Sequence, residues 1–134
     1  MEEIIFNNNT FAIIIRNSFK DHGIKFFTPN DYSQQLAYMN RPRGYKIDAH
    51  YHNKVERKVN YTQEVLFIKS GKVKVNFYDK KNCFLGYIIL DKGDVILLSM
   101  GGHGFEMLEN SEIIEVKQGP YSGDKDKTRF KPTN

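Results

Sequence analysis

The 134-residue chain predicts an all-β single domain, a sandwich or a small antiparallel barrel. Three observations carry that reading. From Val65 onward, short apolar runs recur at spacings of about 8–12 residues, the rhythm of sandwiches and barrels. Each run is bounded by turn chemistry: Ser70-Gly71, Lys80-Lys81-Asn82, Asp91-Lys92-Gly93, Gly101-Gly102 and Glu109-Asn110-Ser111. No stretch sustains the apolar period of an ordinary helix.

Taken in order, the Asn7-Asn8-Asn9 turn leads into a strand over 11–16. Residues 18–22 read as one helical turn stopped by Gly23, and 24–28 as an extended piece ended by Pro29-Asn30-Asp31. Residues 32–40 read as a strand, because Arg41-Pro42-Arg43-Gly44 passes straight into a second alternating segment, 44–52, and the two predict a hairpin. With Pro42 and Arg43 as the loop pair, Gln35 faces His50 and Ser33 faces His52; a slip of one residue brings Gln34 to that face instead. Six more strands follow over 65–70, 72–78, 84–90, 94–99, 104–108 and 112–117. The chain reads as one domain over 1–134, with its core at about 32–118. The polar arm over 119–134 is either disordered or ordered by packing on another surface.

Composition narrows the function classes. With 40% hydrophobic and 13% aromatic residues, the chain has enough apolar material for a core without staples. The single cysteine, Cys83, has no internal disulfide partner, and the start Met1-Glu2-Glu3-Ile4-Ile5 lacks the basic n-region of a secretory signal, so a cytoplasmic protein is expected. No apolar run approaches the roughly 18 residues that span a bilayer, so no membrane partner is expected. A net charge of +4 invites a nucleic-acid reading, but the lysines are dispersed. Lys72 and Lys74 alternate with Val73 and Val75, as on the solvent face of a strand, and no nucleic-acid-binding motif is present, so no nucleic-acid partner is expected. A mildly basic cavity mouth suited to an anionic small molecule accounts for the charge.

Chemistry concentrates between Gly44 and Gly71. His50 and His52 are two apart in an alternating segment, so on a strand both imidazoles leave the same face as a chelating pair. Glu64 opens the apolar run Val65-Leu66-Phe67-Ile68, where a strand entering the same interior brings its carboxylate to the imidazoles. His103 follows in His-Gly-Phe-Glu, and His22, beside Gly23, reads as an ordinary exposed histidine. Arg57, between the two parts of the pattern, offers a bidentate fork for phosphate or carboxylate. Gln35 is the amide that can read a hydroxyl or orient an imidazole.

The pattern Gly44-x5-His50-x-His52 with Glu64-x6-Gly71 resembles the first motif of the cupin superfamily, and the run from Gly93 to Phe105 resembles the second. Departures are a longer spacer between His52 and Glu64, Ser99 in place of a proline, and one residue fewer between Gly101 and His103. The resemblance implies a cupin-type antiparallel β-barrel (double-stranded β-helix, jelly-roll) with one divalent metal ion per chain, Zn, Mn, Ni or Fe, held by His50, His52, Glu64 and His103. The phrases Tyr38-Met39-Asn40-Arg41-Pro42, Thr62-Gln63-Glu64-Val65-Leu66-Phe67-Ile68 and Glu115-Val116-Lys117-Gln118-Gly119-Pro120-Tyr121 are similar to uncharacterised cupins encoded among lipopolysaccharide and O-antigen biosynthesis enzymes. That likeness implies a sugar or sugar-nucleotide ligand and isomerisation or epimerisation in surface polysaccharide biosynthesis.

The alternatives are an Fe(II)-dependent dioxygenase and a non-catalytic sugar-binding module; no catalytic base is named by the sequence. Val65 and Phe67 point away from the Glu64 face and need a cover, which predicts a homodimer with an N-terminal strand packed on the partner.

Overall fold

The computed structural model describes residues 1–133 of the chain. The strands are β1 (Glu2–Phe6), β2 (Asn9–Ile15), β3 (Gly23–Phe26), β4 (Ala37–Asn40), β5 (Glu64–Ser70), β6 (Lys72–Tyr78), β7 (Phe84–Asp91), β8 (Val95–Leu98), β9 (Gly102–Met107) and β10 (Glu112–Lys117), followed by a 3-10 turn at Gly123–Asp126. They form three antiparallel sheets: a five-stranded one ordered β1-β2-β8-β5-β10, a three-stranded one ordered β7-β6-β9, and the pair β3-β4. None closes into a barrel, so a sandwich with open edges is what the alternation produces here. Among the described residues no helix is long and apolar enough to cross a membrane.

The period of two explains the core. Leu66 and Ile68 of β5, Ile96 and Leu98 of β8, and Ala12 and Ile14 of β2 form one buried cluster with Val73, Val75 and Phe77 of β6 and Leu90 of β7. The rings of Phe6, Phe11 and Phe77 close one side, with centroids 5.3 to 6.3 Å apart. The core therefore starts well before residue 32: Phe11 to Ile15 are all buried, as a continuous apolar run between two paired neighbours should be. β1 pairs with β2 of its own chain and leaves its outer edge open. Gly71 makes the turn from β5 to β6 at φ +87, where an added Cβ would overlap Ser111 and the Asn110 carbonyl.

Two turn assignments change. Residues 18–22 form no helix; a single turn closes with Phe19 N donating to Arg16 O at 2.9 Å, and Gly23 starts β3. The hairpin between 32–40 and 44–52 does not form. β4 instead pairs with β3, Gly23 opposite Asn40 and Phe26 opposite Ala37. Aromatic packing favours this pairing, since Phe19 sits edge-on to both Phe27 and Tyr38, at 5.3 and 5.0 Å. Residues 45–60 belong to no strand or helix and are exposed throughout.

The C-terminal arm is ordered by packing on its own chain. Phe130 stacks edge-on against Tyr78 at 5.3 Å, and Thr133 N donates to Asn82 O at 3.0 Å. The large ring of Phe130 in an otherwise polar tail is the sequence feature that marks this docking.

Candidate functional site

Glu64 is the first residue of β5 in the large sheet, and His103 lies on β9 in the small one. Both point inward. Glu64 shares its face with Leu66 and Ile68, while His103 is paired with buried Phe77 across the β6–β9 ladder. The two side chains meet between the sheets, His103 Nε2 to Glu64 Oε2 at 3.2 Å. The entry to β5 is fixed by a buried amide: Gln63 Oε1 accepts from Gln34 N at 3.0 Å, while Gln63 N donates to Gln118 Oε1 at 2.8 Å. Gln118 in turn donates to Ser33 Oγ at 2.7 Å, so three segments hold the start of the strand that carries Glu64.

The pair opens on a cavity of about 880 Å³. Its apolar wall includes Tyr78, Met100, Phe105 and Phe130; its cationic groups are Lys80, Lys127 and Arg129. A smaller hollow of about 300 Å³ beside Tyr121 shares Lys127 and Arg129 but contains neither Glu64 nor His103. Glu115 also lines the cavity, and Lys117 stands opposite Glu64 in the β5–β10 register. Glu115 and Lys117 share one face of β10 and are both exposed, as are Ile114 and Val116 on the other face, at 51% and 55%.

The hydrogen bond from His103 holds the Glu64 carboxyl below its ordinary range, against burial, which pushes the other way, and with smaller help from the charges of His103, Lys117 and Lys127. A carboxylate lowered in the folded state stabilises the fold above its ordinary value of 4.5 and loses that contribution as pH falls through the lower folded value. Denaturant midpoints of the chain and of Glu64→Gln are therefore expected to differ near neutrality and to converge on acidification below 4.5. A difference that stays constant into that range contradicts the assignment.

The remaining sequence-derived candidates lie elsewhere. His50 and His52 are exposed, side by side with ring centroids 5.4 Å apart, and His50 Nδ1 donates to the Asp48 carbonyl at 2.8 Å. Among the described residues, no three His, Cys, Asp or Glu side chains come together as a metal site, so the four expected ligands do not converge within one chain. Gln35 does not face His50. Its Nε2 donates to the carbonyls of Pro29 and Tyr32, both at 2.9 Å, and its Oε1 accepts from Thr28 at 2.9 Å, so the amide closes the turn between β3 and β4. Arg57 lies in the exposed segment and does not line the cavity; the C-terminal arm and Lys80 supply the basic groups instead.

The chain matches no family model, no curated protein and no solved structure. The site therefore rests on its own geometry. Sequence reading missed Lys127, Arg129 and Phe130 because a polar tail carries no periodicity, and Gln63 and Gln118 because their role depends on which strand ends meet in space.

Proposed function

We propose that the chain is a small cupin-type protein that binds an anionic sugar derivative, of the nucleotide-sugar class, between its two facing sheets and moves a proton on it. The observation that carries this reading is the Glu64–His103 pair at 3.2 Å, facing a cavity with both aromatic and cationic walls. Aromatic surfaces suit the faces of a sugar or base, and guanidinium and ammonium groups suit a phosphate.

With His103 Nε2–H donating to Glu64, the lone pair of the imidazole is on Nδ1 and the tautomer is fixed by the carboxylate. An imidazole so held takes a proton from a carbon beside a sugar carbonyl and returns it on the same face to the former carbonyl carbon, while the neighbouring hydroxyl proton passes to the former carbonyl oxygen, which is isomerisation. Lys127 and Arg129 hold the phosphate end, and Phe130, packed on Tyr78, forms part of the aromatic wall.

The test is incubation of the protein with a panel of nucleotide-linked keto sugars in deuterated water, read by NMR for deuterium at carbon. Incorporation with at least one member supports proton transfer. Saturable binding without incorporation replaces the reaction with a binding module, and neither binding nor incorporation removes the sugar reading.

A further inference from the structure

The C-terminal arm is pinned at three places, and between the first two it runs over the surface. Gln118 accepts from Gln63 N at 2.8 Å and donates to Ser33 Oγ at 2.7 Å. Asp126, at the end of the 3-10 turn, accepts a hydrogen bond from the Thr62 hydroxyl. Phe130 then packs on Tyr78 and lies against Gly102, where an added Cβ would come within 2.9 Å of its ring. The stretch between Gln118 and Asp126, with residues 59–62 facing it, encloses the smaller hollow of about 300 Å³.

That hollow adjoins the cavity of the Glu64–His103 pair. Tyr61, Thr62, Asp126, Lys127 and Arg129 line both spaces and so form the boundary between them. Lys127 and Arg129 are held there from both ends, by Asp126 on Thr62 before them and Phe130 on Tyr78 after them. Glu64 and His103 line only the larger space, and Tyr121 only the smaller. From one end to the other, the walls therefore present an acid-base pair, then two cations, then an aromatic ring. A nucleotide sugar has its parts in the matching order: sugar, diphosphate, base.

The aromatic rings at the far end contribute little to the fold, since Tyr121 is 92% exposed and Tyr61 84%. Exposed rings beside cations are a surface on which a base stacks, because every base has a π-face. The charges in the smaller hollow also suit an anion. Among the described residues, Lys117, Lys127 and Arg129 stand against the carboxylates of Asp124 and Asp126, and Asp126 is engaged by Thr62. Asp124, 3.8 Å from Arg129, presents acceptor oxygens that suit ribose hydroxyls.

We propose that the smaller hollow is a nucleoside subsite: the base of a nucleoside diphosphate stacks on Tyr121 with Tyr61 beside it, its ribose faces Asp124, and its diphosphate crosses the boundary on Lys127 and Arg129 toward Glu64 and His103. The proposal rests on the nucleotide-sugar reading for what lies beyond the diphosphate, but the subsite itself is tested without a sugar.

Calorimetric titration of uridine, thymidine, guanosine and adenosine diphosphates, each compared with inorganic pyrophosphate, is made on the unaltered chain, Tyr61→Ala/Tyr121→Ala and Tyr121→Phe. At least one nucleoside diphosphate is expected to bind saturably and more tightly than pyrophosphate. The double variant is expected to weaken it about fivefold or more, the loss of a stacking partner, and to leave pyrophosphate binding unchanged. Tyr121→Phe keeps the ring and is expected to bind as the unaltered chain does. Because both tyrosines are exposed, circular dichroism melting curves of the variants should match that of the unaltered chain. Nucleoside diphosphates that bind no more tightly than pyrophosphate, or equally tightly to the folded double variant, overturn the subsite; if a nucleotide sugar still binds, the sugar reading stands. Diphosphate binding that depends on the two tyrosines, with no affinity added by the sugar and no deuterium incorporation, supports the subsite and overturns the sugar reading.

Discussion

Replacing His103 by Asn is expected to slow carbon-bound hydrogen exchange on the responsive nucleotide sugar by about 10²–10⁴-fold, the contribution of a positioned acid-base group. Asn keeps a planar polar side chain on β9, so the change removes the titratable nitrogen while the partner of Glu64 remains polar. Stability should change little, because His103 is partly exposed, at 27% of its side chain. Exchange rates for both proteins, measured beside denaturant curves, separate the two effects. An undiminished rate in a folded His103→Asn protein would place the chemistry elsewhere.

The largest expected effect on stability lies far from the cavity. Asp94 is 3% exposed, and its carboxylate accepts three bonds at 2.8 Å, from Arg16 Nη1, Asn17 N and Asp91 N. Arg16 also donates to the Ile89 carbonyl at 2.8 Å and to both Glu2 carboxylate oxygens, so this cluster ties β1, β2 and β7 to the turn before β8. Truncation leaves two backbone donors and one guanidinium without the buried acceptor. Asp94→Ala is expected to lose about 3–5 kcal/mol, the range for breaking a buried charge pair by removing one partner. Urea unfolding followed by circular dichroism measures it; a loss under about 1 kcal/mol would mean that water replaces the carboxylate at little cost.

Much of the sandwich was legible because burial on one face imposes a period of two. Each strand from β5 to β10 overlaps a segment read from alternation and turn residues, and Glu64 could be placed on the inward face from Leu66 and Ile68. Pairing was less legible. A turn sequence at Arg41-Pro42-Arg43-Gly44 predicts a hairpin only if both flanking segments lack better partners, and β4 has one in β3. The alternation over 44–52 predicts a strand, but residues 45–60 join no sheet of the chain, because alternation alone does not supply a partner edge. Asp94 read as the first residue of the strand over 94–99, whereas it lies in the turn before β8; that its carboxylate is buried follows from Arg16, 78 residues away.

The central claim is that the cavity between the sheets binds an anionic sugar derivative beside Glu64 and His103. Calorimetric titration of the nucleotide-sugar panel into the unaltered chain, Glu64→Gln and Lys127→Ala/Arg129→Ala tests it most directly. The account predicts saturable binding of at least one member, weakened about tenfold or more by loss of the two cations, which contribute charge-assisted bonds to phosphate. Binding that is absent for every member, or unchanged in both variants, would contradict it.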